Sequence, residues 1–219
     1  MPTLAFIHTV PSLADRFSAL AQSALPAWTS TAIVDETLLG QTISAGRLLP
    51  ETQARLTQHA LSAVAGGADA IVVTCSTLGG AVDAIRSEIP VPVFRIDRGM
   101  AEAAVRRAQR IGVLATLPTT IEPTLKLLND AAAEAEAECH FVARLCEGAF
   151  DKLRAGDRSG HDADVRKHFA VLSQTVDLVV LAQASMAEAL STNPGDPTVP
   201  TLTSPELGMA HVAQSLRAG

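Results

Sequence analysis

Short apolar runs alternate with longer amphipathic stretches along the whole of this 219-residue chain, and that rhythm restricts its fold more than any other feature. The runs at 4–8, 70–74, 91–96, 111–115, 139–143, 178–182 and 198–202, with a weaker one at 30–34, have the length of strands. Between them, Leu56, Ala60, Ala63 and Val64 form one stripe at helical spacing. Ile121, Leu125, Leu128 and Ala132 form another, with Thr119 and Thr120 as its N-cap. Pro50 and Pro205 sit where a first helical turn tolerates proline. Near-continuous apolar strands separated by helices belong to parallel sheets covered on both faces and built of βαβ units. Glycines at 40 and 46 mark 36–50 as a loop, and Asn-Pro-Gly-Asp-Pro at 193–197 marks 191–197 as another.

The rhythm also repeats. In the first half a strand runs into Thr74-Cys75-Ser76, a helix, Ile89-Pro90-Val91-Pro92-Val93, and then Arg98-Gly99-Met100-Ala101. In the second half a strand runs into Gln183-Ala184-Ser185, a helix, Pro197-Thr198-Val199-Pro200-Thr201, and then Leu207-Gly208-Met209-Ala210. The two Gly-Met-Ala motifs lie 109 residues apart (99 to 208), and Ser76 and Ser185 share that offset. Two duplicated α/β domains account for this. The expected first domain is 1–97 plus 205–219, with the final helix returning to it, and the second is 98–204.

Several function classes drop out. The net charge is −6 and no Lys/Arg run exceeds two residues, which argues against nucleic-acid binding. No apolar run reaches membrane-spanning length, so no membrane partner is expected. The N-terminus reads as a first strand and not as a signal peptide. Three cysteines make no disulfide framework, and a reduced, cytoplasmic protein is expected. Gly66-Gly67 precedes its strand and Gly79-Gly80 lies inside a helix start, so there is neither a dinucleotide fingerprint nor a P-loop.

Chemistry concentrates at the strand-to-helix turns. Cys75 ends a buried strand and precedes a helix, where backbone N–H groups and the helix dipole favour a thiolate and also bind carboxylates. Ser76 and Thr77 add hydroxyl donors, so Cys75-Ser76-Thr77 makes a compact site for a small anion. An inert thiol capping a strand is the other reading of Cys75. Thr116, Thr119 and Thr120 open a helix after the strand at 111–115 and form an anion seat or an ordinary N-cap. Gln183 and Ser185 either donate hydrogen bonds to a substrate oxygen or serve as turn and cap. His161, Asp162, Asp164 and His168 read as a polar helix start on the surface, and no metal site is expected. Cys139 and Cys146 read as structural.

The strand-Cys-Ser-Thr-helix unit, Ile111-Gly112-Val113-Leu114-Ala115-Thr116, and Gln183-Ala184-Ser185 together resemble the aspartate/glutamate/hydantoin racemase superfamily over nearly the whole chain. That superfamily also includes maleate isomerase and arylmalonate decarboxylase. The resemblance implies two pseudo-symmetric α/β domains of Rossmann/flavodoxin type facing a central cleft. It also implies a cofactor-independent isomerase of small carboxylate-bearing carbon acids, and a homo-oligomer. It places a catalytic thiol at Cys75 and substrate-carboxylate binding at Thr116–Thr120. The first loop, with Thr9, would line the site beside Cys75, and a neutral His8 there could take the Cys75 proton. Family racemases carry a second cysteine. Here Ala184 stands at the expected position, or Gln183 if the register slips by one. The resemblance therefore implies a single catalytic thiol, Cys75. It leaves open one-sided decarboxylase, lyase or hydrolase chemistry and a non-catalytic binding role.

Overall fold

The computed structural model describes residues 1–190 and 199–218. The loop expected at 191–197 and the first residue of the strand expected at 198–202 lie outside the described residues. The chain forms two compact units. One comprises Met1–Gly99 together with the chain from Pro205, and the other Met100–Ser204.

In the first unit, β1 (Thr3–His8), β2 (Thr29–Val34), β3 (Ala70–Val73) and β4 (Val93–Arg95) form a parallel sheet of order β2-β1-β3-β4. The helices are α1 (Ala14–Ala24), α2 (Glu36–Ala45), α3 (Pro50–Ala65) and α4 (Gly79–Ile85). After α5 (Arg98–Val105), the second unit repeats the order. Strands β5 (Arg110–Ala115), β6 (His140–Leu145), β7 (Leu178–Leu181) and β8 (Thr201–Thr203) are arranged β6-β5-β7-β8, all parallel. Its helices are α6 (Pro118–Glu134), α7 (Ala149–Arg154) and α8 (Arg158–Leu172); α9 (Ser204–Ala218) ends the described chain.

The composition of each strand follows its place. The inner strands β3 and β7 read AIVV and LVVL and are buried throughout, as parallel strands covered on both faces must be. The edge strand β2 reads TSTAIV and is mostly exposed. Beneath the first sheet, Ala5, Ile7, Ile71 and Val73 pack with Leu38 of α2, Leu56 and Ala60 of α3, and Val82 and Ile85 of α4.

The segment at 36–50, expected as a loop, instead holds α2. Asp35 caps it by accepting from the Thr37 N–H. Gly46 ends it at φ 67°, in the left-handed region that glycine enters without strain. Leu38, Leu39 and Thr42 supply the buried face. Gly40, the reason for expecting a loop, sits in open space and costs the helix only its propensity.

The repeated Gly-Met-Ala motif marks a close crossing of helix starts. A β-carbon on Gly208 of α9 would overlap the Ile96 carbonyl oxygen, and one on Gly99 the Leu207 carbonyl oxygen. Further along α9, Arg217 donates to the Ala24 carbonyl. Gly208→Ala is therefore expected to destabilise the first unit by about 1–3 kcal/mol, the usual range for overpacking against a fixed backbone. A lowered thermal unfolding midpoint measures it; an unchanged midpoint means that α9 is not docked there.

Candidate active site

In a parallel α/β sheet the strands' carboxyl ends and the following helix starts share one rim, and that rim is where ligands bind. In the first unit β3 stops at Val73, Cys75 stays extended (φ −106°, ψ 108°), and Ser76–Leu78 make a 3₁₀ turn leading into α4. Thr9 follows β1 on the adjacent strand. The Thr9 hydroxyl, the Leu78 and Thr77 N–H groups and the Thr77 hydroxyl lie around the Cys75 sulfur as donors that favour its thiolate, while the Leu78 N–H makes its 3.1 Å turn bond to the Cys75 carbonyl. Thr9, Ser76 and Thr77 are buried, and Cys75 is half-buried. Burial pushes the thiol up, and the four donors oppose it without cancelling it. The turn thus holds a protonated thiol ringed by groups that would stabilise its thiolate, not the resting thiolate expected from the helix start.

His8 does not belong to this ring. Successive strand residues face opposite sides, and His8 lies on the Phe6 side, stacked 5.5 Å from that ring and 5.7 Å from Phe17. Ile7, on the other side, packs in the cluster that includes Cys75. The Thr74 hydroxyl donates to the Ile7 carbonyl (3.3 Å), so His8 Nδ1–H donates to Thr74 (2.8 Å) and leaves a buried Nε2 without a partner. Burial lowers the His8 pKa to about 4. The expected imidazole partner for Cys75 is therefore replaced by a hydroxyl, that of Thr9.

The second unit repeats the arrangement with different groups. Gln183 stands before the 3₁₀ turn Ala184–Met186, as Cys75 stands before Ser76–Leu78. Thr116 follows β5 as Thr9 follows β1. The Thr116 N–H donates to Gln183 Oε1 (2.7 Å), and Gln183 Nε2 donates to the Thr116 hydroxyl (2.8 Å). Strand register agrees, since Ile7 pairs with Val73 and Leu114 with Leu181. Gln183 is therefore the counterpart of Cys75, and Ala184 that of Ser76. The 109-residue offset of the glycine motifs misleads by one because the strand-to-turn segments run at 108 (75 to 183).

Thr119 lies in the first turn of α6, whose N-cap is Leu117 and not either threonine. Its buried hydroxyl oxygen lacks a partner, while Thr120 is buried with its N–H on the Leu117 carbonyl. Ser185 lies inside the 3₁₀ turn and caps nothing; its carbonyl accepts from Arg158 (3.3 Å). His161, expected on the surface, is fully buried on the stripe that continues through Val165 and Leu172. Its Nδ1 lies 2.7 Å from Asp162, and its Nε2 has no partner. Among the described residues, no three or more His, Cys, Asp or Glu side chains are grouped to hold a metal. None of the described helices is long and apolar enough to cross a membrane.

Two charged clusters escaped the sequence reading. Asp35, next to the end of β1 through its N–H on the His8 carbonyl, accepts from Arg55 and lies 2.7 Å from His59 Nε2. Its position before the helix start was the only local signal. The other joins Arg95 to Asp83 and Asp97, and nothing local announces it.

A family model described as Asp/Glu/Hydantoin racemase matches residues 7–212. The chain belongs to the Asp/Glu/hydantoin racemase family. A glutamate racemase of Cupriavidus pinatubonensis is 31% identical over 112 residues, which is 50% of this chain but only 40% of that relative. Glutamate racemase isoform RacE1 from Bacillus anthracis shares the fold at a TM-score of 0.79 and 17% identity, over 99% of this chain and 82% of that one. An aspartate racemase of Picrophilus torridus does so at 0.72 and 11%, over 98% and 94%.

In this family member, the raised Cys75 pKa makes a direct expectation. The thiolate appears only above the range of a free thiol, so alkylation of Cys75 by iodoacetamide should keep accelerating above pH ~9. Peptide mapping reads it, with Cys146 silent because burial and the nearby Asp164 raise it to about 12. A rate that levels off near neutrality contradicts the protonated resting thiol.

Asp35 predicts the opposite pH trend. Burial works against its carboxylate, but Arg55, His59 and Thr37 outweigh burial and hold it well below the usual range. A depressed folded pKa gives stability that is present above the unfolded value of ~3.9 and lost as pH falls toward the folded one. Asp35→Asn should cost about 1–2 kcal/mol at pH 7 and flatten the acid limb of the unfolding curve.

Proposed function

We propose that this chain is a cofactor-independent isomerase of the racemase type, acting on a small carboxylate-bearing carbon acid with Cys75 as its single thiol. The observation that carries the reading is the convergence of four donors on Cys75, set against an amide at its counterpart, Gln183. Cys75 rests protonated; once its own proton has passed to water, the thiolate, stabilised by the Thr9 and Thr77 hydroxyls and turn N–H groups, takes the proton from the carbon next to the carboxylate. Ser76 is the proposed carboxylate-binding group beside Cys75 in the first unit, and Thr119 with the α6 start offers an anion seat of its own in the second. Glutamate and aspartate, the substrates named for relatives, are the first to test.

An amide neither gives nor takes a proton at working pH. With no thiol at the Cys75 counterpart to return the proton, inversion then needs water as the second proton carrier. The Gln183 amide also favours a second reading, in which the reaction is one-sided: decarboxylation, lyase or hydrolytic chemistry, with only Cys75 handling the proton or bond.

Deuterium exchange in heavy water tests both. Cys75→Ser should lower kcat/KM by about 10²–10⁴-fold, the usual worth of a positioned acid–base group. Exchange at the carbon faster than inversion supports one-sided proton handling. Gln183→Cys should raise inversion by at least roughly tenfold, whereas Ala184→Cys should not. Unchanged turnover in Cys75→Ser removes Cys75 from the chemistry, and no ligand-dependent exchange or turnover at all leaves a binding protein on this fold.

A further inference from the structure

Arg95 is the most deeply enclosed cation of the first unit. Its side chain is 3% exposed, and that of Asp97 is 1% exposed. The guanidinium binds Asp97 through two bonds (Nε to Oδ1 and Nη2 to Oδ2, both 3.0 Å) and reaches Asp83 of α4 through Nη1 at 2.8 Å. Burial disfavours the charged guanidinium, but the carboxylates of Asp97 and Asp83 more than offset it and raise the Arg95 pKa. Arg95 pairs in register with Val73, two residues before Cys75. A β-carbon on Gly79 would overlap the guanidinium itself. Gly79 also closes the thiol turn, its N–H donating to the Ser76 carbonyl.

The second unit lacks this arrangement at the same register. Thr203 pairs with Leu181 where Arg95 pairs with Val73. Ala187 closes the turn where Gly79 does. The side chains exchange as a pair: guanidinium with no β-carbon in the half that bears the thiol, methyl with a short hydroxyl side chain in the half that bears the amide. A general packing need of the fold would appear in both halves.

We propose that Arg95, clamped by Asp97 and Asp83 and laid against Gly79, is the positioning residue of the thiol turn, holding the turn from Ser76 to Leu78, with its Thr77 donors, beside the Cys75 sulfur. This rests on the reading of Cys75 as the reacting group, but the lock itself is testable without turnover. A bidentate, fully desolvated guanidinium is rigid where an ammonium is not. It fixes the start of α4 to β4, and therefore fixes the donors between Cys75 and Gly79.

The test is the pH profile of Cys75 alkylation, with thermal unfolding beside it. Gly79→Ala keeps every charge and displaces the guanidinium; Asp83→Asn releases the α4 end from Arg95 and, with it, the half-exposed Arg86 pair at 3.2 Å. Both should remain folded and alkylate about tenfold more slowly at pH 8, the profile moving to higher pH as thiolate donors are lost. Arg95→Lys, which keeps charge without the planar fork, should behave like Gly79→Ala. A parent-like profile in folded Gly79→Ala and Asp83→Asn, or full rescue by Lys at 95, overturns the proposal. Turnover unchanged by Cys75→Ser, with the alkylation shifts present, removes the catalytic reading and leaves the lock standing.

Discussion

The parallel ladder between β1 and β3, and its repeat between β5 and β7, is the constraint on which the rest depends. Because the strands run the same way and are buried on both faces, every connection must cross over through a helix. Each strand then ends, and each following helix begins, at the same rim. Pairing Ile7 with Val73 sets Thr9 beside Cys75, and pairing Leu114 with Leu181 sets Thr116 beside Gln183. The chemistry of each half is thus a consequence of register: one residue of slip would exchange every rim group for its neighbour and turn it to the other face.

Within that shared frame the halves have diverged by substitution at matched positions. Where the first has a hydroxyl on a thiol, the second has a threonine and a glutamine joined by two hydrogen bonds. The amide pair is self-satisfied and rigid. The thiol is held in a strained electrostatic balance, with burial favouring the neutral form and four donors favouring the anion. A group in such balance responds strongly to what is placed beside it, while a satisfied amide does not.

Much of this was legible in the residues. The alternation of apolar runs and helical stripes is written in local spacing, and it led to the parallel α/β architecture. The Cys75-Ser76-Thr77 turn was legible because strand, thiol and helix start are contiguous. The failures have a common cause. Gly40 and Gly46 suggested a loop because the buried face of α2, made by Leu38, Leu39 and Thr42, has meaning only against the sheet. Ala184 was favoured over Gln183 because an offset carried by helix glycines does not transmit to a strand end. His161 was set on the surface by its polar neighbours, although its helix turns it inward.

By itself the sequence determined the fold class, the duplication and the presence of one thiol on one strand-to-helix turn, because periodicity and turn chemistry act over a few residues. The tertiary structure alone decided what surrounds that thiol within its own unit and which residue stands at the matching place in the other. It replaced His8 with Thr9, set Gln183 as the counterpart, brought Arg95 against Gly79, and made burial prevail over the donors at Cys75. Each of these is a sum over neighbours distant in the chain, and only strand register and packing bring those neighbours together.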